Sequence, residues 1–387
     1  MLLGRYSDRP GGGGQALPRV VVISITRTRD AVVARGGPVS FVVSIHEEGT
    51  ALSWQNHVHV TAKAEAFLLD AVARLHRWSV DRRGSPRPPI ALCERLGRML
   101  YRTFIGREGT RALEGLHPTA VMVAADESIV GLPWELLTGP DGRWPFELPF
   151  GRIVGTGTVP AARRDPKDED PLVRILAIAD PTGDLPATLA EVDAVAQLSG
   201  THGDIRVEVT TLPPAMATRA GFADAVAGQD YDILHFAGHG AFARDHPGQS
   251  ALLLADGRFS ANDVRNLTWS APPFIVFNSA CESARTAARR RLVSADGDTS
   301  GLPAAFLAAG AEAYLGHFWP VGDDVARTFA TVFYGQLLAR ANVGTAVLEA
   351  RQALRASFVD TGDLAAVGAV FFGDAGSAER RDLAQAV

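Results

Sequence analysis

Apolar residues recur along this chain in two rhythms. RVVVISI (19–25) and VSFVVSI (39–45) are dense in β-branched residues and predict strands. AEAFLLDAVARLHRW places Leu68, Val72 and Leu75 at helical spacing, and a second helix carries Leu92, Leu96 and Leu100. DRRGSPRPP between them reads as a loop. TAVMVAA (119–125) is a further strand, followed by GLPWELL. No repeat with a period of about 20–50 residues is visible.

Beyond residue 172 the alternation becomes regular. VRILAIAD, IRVEVTTL, YDILHF, FIVFNS and EAYLGHF read as strands, with a shorter one at ALLLAD and a last one at AVGAVFFG. TLAEVDAVAQL, AGFADAVAG, LPAAFLAAG, DVARTFATVFYGQLLAR and TAVLEARQALRASF between them read as helices. Strands alternating with helices predict an α/β fold, with a mainly parallel sheet flanked by helices on both faces. RRDPKDEDP (163–171) has two prolines and no apolar period, so it reads as a linker. The expected organisation is a flexible tail (1–18), an N-terminal α/β region (19–162), this linker, a second α/β domain (172–375) and a C-terminal tail (376–387).

Composition narrows the function. The chain is 47% hydrophobic and 21% charged with net charge -5, which gives no sign of a nucleic-acid binder. Its two cysteines, Cys93 and Cys281, build neither a disulfide framework nor a cysteine-rich zinc site. No apolar stretch is long enough to span a membrane, and the Gly-rich start does not resemble a signal peptide. The expectation is a cytoplasmic protein with thiols kept reduced. Cys93 falls beside Leu92 and Leu96 in a helix and is expected in the core.

HFAGHG (235–240) and NSACES (278–283) both follow apolar strands that end in small residues. In a parallel sheet all carboxyl ends share one rim. If the two strands are neighbours, His239 and Cys281 emerge together despite a separation of 281 − 239 = 42 residues. An imidazole beside a thiol can take its proton or lower its pKa, and the thiolate then attacks a carbonyl carbon. The backbone N–H groups of Gly240 and Cys281 are candidates for the oxyanion hole. Gly238 and Gly240, flanking the base, would let backbone approach a substrate closely. His235 lies inside its strand and reads as a buried, satisfied structural residue. A zinc site from His235, His239 and Cys281 lacks a fourth ligand and metal-type spacing.

DILHFAGHG, FNSACES, GLPAAFLAAGAEAYLGHFWPVGDD and VFFGD together resemble the CHAT domain, a caspase-like cysteine peptidase group of clan CD related to separases and caspases. GLPWELL and ILAIADPTGDLPATLAEVDAVAQL are similar to its amino-terminal portion, so the resemblance covers roughly residues 115–375. It implies a caspase-like fold, His239 and Cys281 as a dyad, and the Gly240 amide in the oxyanion hole. It further implies a cytoplasmic endopeptidase that needs no metal or organic cofactor and cuts a dedicated protein substrate in bacterial signalling or defence, such as a gasdermin-like pore former. Residues 19–162 are then expected to form a degenerate copy of the catalytic fold. No helical repeats precede the domain, so an activator would be a separate chain or act through residues 1–115. VGDD at 321–324 departs from the PVDD-like text usual in the family.

No acidic third member is assigned; a backbone carbonyl could orient the imidazole, and Glu282 reads as a cap. Asp323 and Asp324 precede a long helix, where acids favour the dipole. In separases an acid at a similar distance past the cysteine recognises arginine; here the separation is 323 − 281 = 42 residues. A buried carboxylate there would select a basic side chain at the cleavage site. Arg289, Arg290 and Arg291, in the loop after the cysteine, are candidates for self-cleavage. Two other readings stay open: a catalytically silent caspase-like interaction module, and a cysteine hydrolase or acyltransferase acting on a small molecule.

Overall fold

The computed structural model describes residues 19–28, 38–80, 89–140, 142–143, 146–155, 172–243, 246–280, 283, 301–339, 341–361 and 364–376. The expected tail at 1–18 and linker at 163–171 lie outside the described residues, as does all but residue 376 of the expected C-terminal tail.

The N-terminal region opens with strands β1 (Val20–Arg27), β2 (Val39–Glu47) and β3 (Ser53–Val60). Helices α1 (Ala62–Val80), α2 (Ile90–Leu100) and α3 (Gly106–Leu116) follow. Next come β4 (Ala120–Ala125), a hairpin of β5 (Thr138–Gly139) and β6 (Gly142–Arg143), and β7 (Phe150–Ile153). The apolar positions of the helices face inward as their spacing predicts: Leu68, Val72, Leu75, Leu96 and Leu100 are buried, and so is Cys93.

The second region begins with β8 (Leu172–Ala179), α4 (Pro186–Ala196), β9 (Gly200–His202), β10 (Ile205–Leu212), α5 (Arg219–Gly228) and β11 (Ile233–Ala237). A small excursion follows: β12 (Gly240–Ala241), β13 (Ala251–Leu254), β14 (Gly257–Ser260) and α6 (Ala261–Arg265). The chain returns through β15 (Ile275–Asn278), α7 (Gly301–Ala308), β16 (Ala313–His317) and α8 (Asp323–Leu338). It closes with α9 (Val343–Ala353), α10 (Arg355–Thr361), α11 (Ala365–Gly368) and β17 (Ala369–Phe372).

One twelve-stranded sheet, ordered β3-β2-β1-β4-β7-β17-β16-β15-β11-β8-β10-β9, runs through both regions. Strands β16, β15, β11, β8 and β10 run parallel to one another, and β9 pairs antiparallel with β10 at the sheet's edge. Strand β17 lies antiparallel to β16 and joins β7 on its other side. Buried Arg152 of β7 forms a two-bonded ion pair with buried Glu135 of GLPWELL and donates to the Val130 carbonyl at 2.9 Å. Arg351 of α9, also buried, donates to the Ala369 carbonyl at 2.9 Å. These charges sit where the two regions meet.

One element comes unannounced, and one expectation changes. SWQNHVHV, for which no element was expected, is an outer strand, β3: Trp54, Val58 and Val60 turn toward the core along one face, Ser53, Gln55, His57 and His59 are exposed on the other, and Asn56 interrupts the apolar face. TAVLEARQALRASF is two helices, α9 and α10, parted at Leu354.

Candidate functional site

Taking β8 as first, the second region orders its parallel strands β10-β8-β11-β15-β16, a 2-1-3-4-5 arrangement. The chain winds one way from β8 to β10 and the other way through β11, so the switch point lies between β8 and β11. Open α/β sheets bind ligands beyond the carboxyl ends of their strands at such a point. His239 follows β11, and the loop 180–185 follows β8.

His239 Nε2 lies 3.0 Å from Asp184 Oδ1, with both side chains partly exposed. The sequence assigned the histidine no acidic partner and allowed for a backbone carbonyl; the contact found here is with a carboxylate. Asp184 is fixed in turn by its loop. The Asp180 carboxylate accepts from the Asp184 and Leu185 amides at 3.0 and 2.9 Å. The Asp180 amide donates to the Ala237 carbonyl at 2.9 Å, tying the loop to β11. Thr182 Oγ1 donates to Asp184 Oδ1 at 2.5 Å. That hydroxyl, with the His239 ring as a lesser cause, holds the Asp184 carboxyl below the usual carboxylate range.

Gly238 has a different reason from the one its place beside the base suggests. A Cβ there would come within 3.0 Å of Pro181 and 2.9 Å of Phe236. The glycine admits the β8–α4 loop against the end of β11. Gly240 faces Leu252 across the β12–β13 pair, and the Leu253 amide donates to the His239 carbonyl at 3.0 Å. In an antiparallel ladder, the residue between two bonded positions turns its own N–H and C=O away from the partner strand. The Gly240 N–H therefore points out of the small sheet.

Strand β15 pairs parallel with β11, with Phe236 opposite Asn278, so Ser279 and Ala280 leave the sheet at the same rim as His239. Cys281, Glu282 and Arg289–Arg291 lie outside the described residues. The residues around the cysteine are held by a buried network that sequence reasoning missed. Asn278 Oδ1 accepts from the Ala280 amide at 3.1 Å, and its Nδ2 donates to Tyr314 Oη at 3.0 Å. Ser283 Oγ donates to the Asn278 carbonyl at 2.7 Å and accepts from the His317 amide at 2.9 Å. The visible signal was a polar Asn ending an apolar strand.

Beneath the rim, His235 is fully buried as expected. Its Nδ1 is 3.1 Å from Tyr334 Oη on α8, its Nε2 is 3.3 Å from Glu191 Oε1 on α4, and its ring meets Phe277 edge-on. Burial, and then the Glu191 charge, push the Tyr334 phenol up, which keeps it protonated.

Asp323 and Asp324 open α8 one loop beyond the end of β16, at the same rim. Neither is buried. Asp324 is 94% exposed and bonds Arg327 at 3.0 Å, and neither carboxylate caps the helix through a side-chain bond. Asp323 is left as the open carboxylate of the pair. Among the described residues no cluster of three or more His, Cys, Asp or Glu is placed to hold a metal, and no helix is long and apolar enough to cross a membrane.

The CHAT domain profile matches residues 92–362, more than half of the chain. The chain belongs to the CHAT domain family. No curated protein matches it. The separase chain of the Saccharomyces cerevisiae separase–securin complex, in a 3.0 Å crystal structure, aligns with a TM-score of 0.56 at 12% identity. That alignment covers 92% of the CHAT protein and 30% of the solved chain. A second crystal structure of the complex, at 2.6 Å, gives a TM-score of 0.52 at 13% identity over the same shares. The Arg-specific cysteine proteinase gingipain R aligns at 0.47 and 15% identity, over 74% of the CHAT protein and 67% of the proteinase chain. The CHAT protein thus has the caspase-like fold of separase and spans less than a third of the separase chain it matches.

Proposed function

We propose that this CHAT protein is a cysteine endopeptidase in which Cys281 is the nucleophile and His239 the acid–base. The observation that carries the reading is the parallel pairing of β11 with β15, which sends the residues after Ala237 and after Asn278 out at one rim, beside the switch point. The His239 contact with Asp184 and the outward Gly240 N–H support it further.

The chemistry follows from those groups. The Cys281 sulfur, having given its proton to His239, adds to the scissile carbonyl carbon, and the oxyanion meets the N–H groups of Gly240 and Cys281. The C–N bond breaks as the imidazolium gives its proton to the leaving amine. Water, losing a proton to the same imidazole, adds to the thioester. The C–S bond then breaks, releasing the acid and restoring the thiol.

A basic residue before the cut fits the acidic first turn of α8, with Asp323 as the open carboxylate. Arg289–Arg291 would suit the same preference in self-cleavage. The substrate class is a dedicated protein, and a gasdermin-like pore former in bacterial defence is the example the family suggests. A peptide-library cleavage assay of wild type against Cys281→Ala tests both levels. Turnover after Arg or Lys, lost in the variant, is expected. Cutting that survives Cys281→Ala, or no cutting at all, sinks the reading, and turnover confined to acidic residues removes the basic pocket.

A further inference from the structure

The loop between β8 and α4 is more tightly preset than a surface connection needs to be. Asp180 takes a left-handed backbone (φ 41°), a conformation that costs a non-glycine residue free energy unless its surroundings impose it. Gly183 follows at φ 75°, where glycine has no such cost. The Asp180 carboxylate holds the amides of Asp184 and Leu185, and Pro181 fills the space that the missing Cβ of Gly238 leaves open. All of these devices converge on one result, a carboxylate oxygen 3.0 Å from His239 Nε2.

Stability does not explain the arrangement. Asp184 is 64% exposed and His239 38% exposed, and an ion pair so open to solvent adds little to folding. Orientation explains it better. Neutral imidazole has one N–H and one lone pair, and a neighbouring acceptor decides which nitrogen has which. An ionised carboxylate only accepts, so Nε2 must carry the hydrogen that Asp184 receives. Thr182 donates to the same oxygen, which favours the ionised form.

We propose that Asp184 is the positioning residue of this site: it takes the Nε2 proton of His239 in a hydrogen bond, leaving Nδ1 as the nitrogen that exchanges a proton with Cys281 and with the leaving amine. The second half rests on the peptidase reading, whereas the first stands on the Asp184–His239 geometry alone. Asp184 is far from the motifs that mark the site in the sequence, 239 − 184 = 55 residues before the histidine. It lies close in space because β8 and β11 are paired neighbours.

The test separates the two halves. Long-range ¹H–¹⁵N correlation spectra of the imidazole rings report which nitrogen of His239 is protonated, without turnover. Wild type is expected to show the Nε2–H tautomer, and Asp184→Ala a mixture. An Nδ1–H tautomer in wild type, or a spectrum unchanged by Asp184→Ala, overturns the proposal. In peptide cleavage Asp184→Ala should lower kcat on the order of 100-fold with KM little changed, the cost of a mis-set catalytic group. Asp184→Glu should recover part of that loss. Asp184→Asn should not, because its amide can present a donor to the ring and favour the other tautomer. The thermal midpoint should stay at the wild-type value in all three variants. A full-rate Asp184→Ala enzyme overturns the proposal even if the tautomer changes. If wild type cleaves nothing while the tautomer signature holds, the peptidase reading falls and the orientation by Asp184 stands.

Discussion

Tyr314 Oη donates to the Ser283 carbonyl at 2.8 Å, and the same oxygen accepts from Asn278 Nδ2 at 3.0 Å. One phenol of β16 therefore bonds to residues on both sides of Cys281 in the chain. Tyr314→Phe leaves a buried amide and a buried carbonyl without this partner, at a cost of about 1–3 kcal/mol. Urea unfolding should show that loss, and cleavage should slow as well. Burial pushes the phenol far above its usual range, so the hydroxyl keeps its proton at every working pH. The stability gap between wild type and Tyr314→Phe should accordingly be flat between about pH 6 and 9. A gap that opens or closes in that window contradicts the account.

The joint between the regions gives an ordering of variants. Glu135 is the one carboxylate beside two buried guanidiniums, those of Arg152 and Arg351, among the described residues. Burial, with the Arg152 charge adding to it, pushes Arg351 down to about 10 against the opposing pull of Glu135. Glu135→Gln leaves two positive charges in the core and should cost about 3–5 kcal/mol. Arg351→Met removes the surplus charge and keeps the matched Arg152–Glu135 pair, so it should cost clearly less. Denaturant midpoints for the two variants decide this, and equal losses would mean the charge count is irrelevant.

Much of this was legible in the sequence. Periodicity gave the strands from VRILAIAD to EAYLGHF and the helices between them, because a parallel strand buried on both faces is an unbroken apolar run. The like endings of β11 and β15 only raised the condition that they be neighbours, and the sheet pairs them. What stayed hidden depends on distance in space. Asp184 sits in PTGDLP, whose turn residues look like any loop, and its role emerges only when β8 lies beside β11. Tyr314 reads as one more aromatic in an apolar strand. SWQNHVHV was missed because Asn56 interrupts its inward face of Trp54, Val58 and Val60, which leaves only three apolar residues in eight.

His235 gives a coupled pair to measure. His235→Phe leaves the Glu191 carboxylate buried without its imidazole, and Glu191→Leu removes the acceptor facing His235 Nε2. Each single change should destabilise, and the double variant should lose less than the sum, with an interaction of about 0.5–3 kcal/mol in a double-mutant cycle. Strict additivity would show that the 3.3 Å contact contributes nothing.

Thr182→Val tests the electrostatics of the loop. The Asp184 carboxyl is held below its ordinary value, first by the Thr182 hydroxyl. An ionised Asp184 is present above that lowered pKa and is lost as pH falls through it. Without the hydroxyl, protonation should occur at higher pH, moving toward the ordinary carboxylate value. A ¹³C titration of the Asp184 carboxyl in both proteins reads the shift. An upward move is expected, and no move would assign the lowering to another group.

Strand β17 has a bearing on how the protein is made. It lies between β16 and β7, yet it is synthesised after every other described strand of the sheet. A ribosome that has finished β16 has produced two half-sheets, each with a bare edge, and nothing yet to zip them. A chain broken off before Ala369 would expose both edges to neighbouring molecules, where strand pairing leads to clumping. The join is formed last, so a protein whose half-sheets depend on it would gain full order only late in its own synthesis.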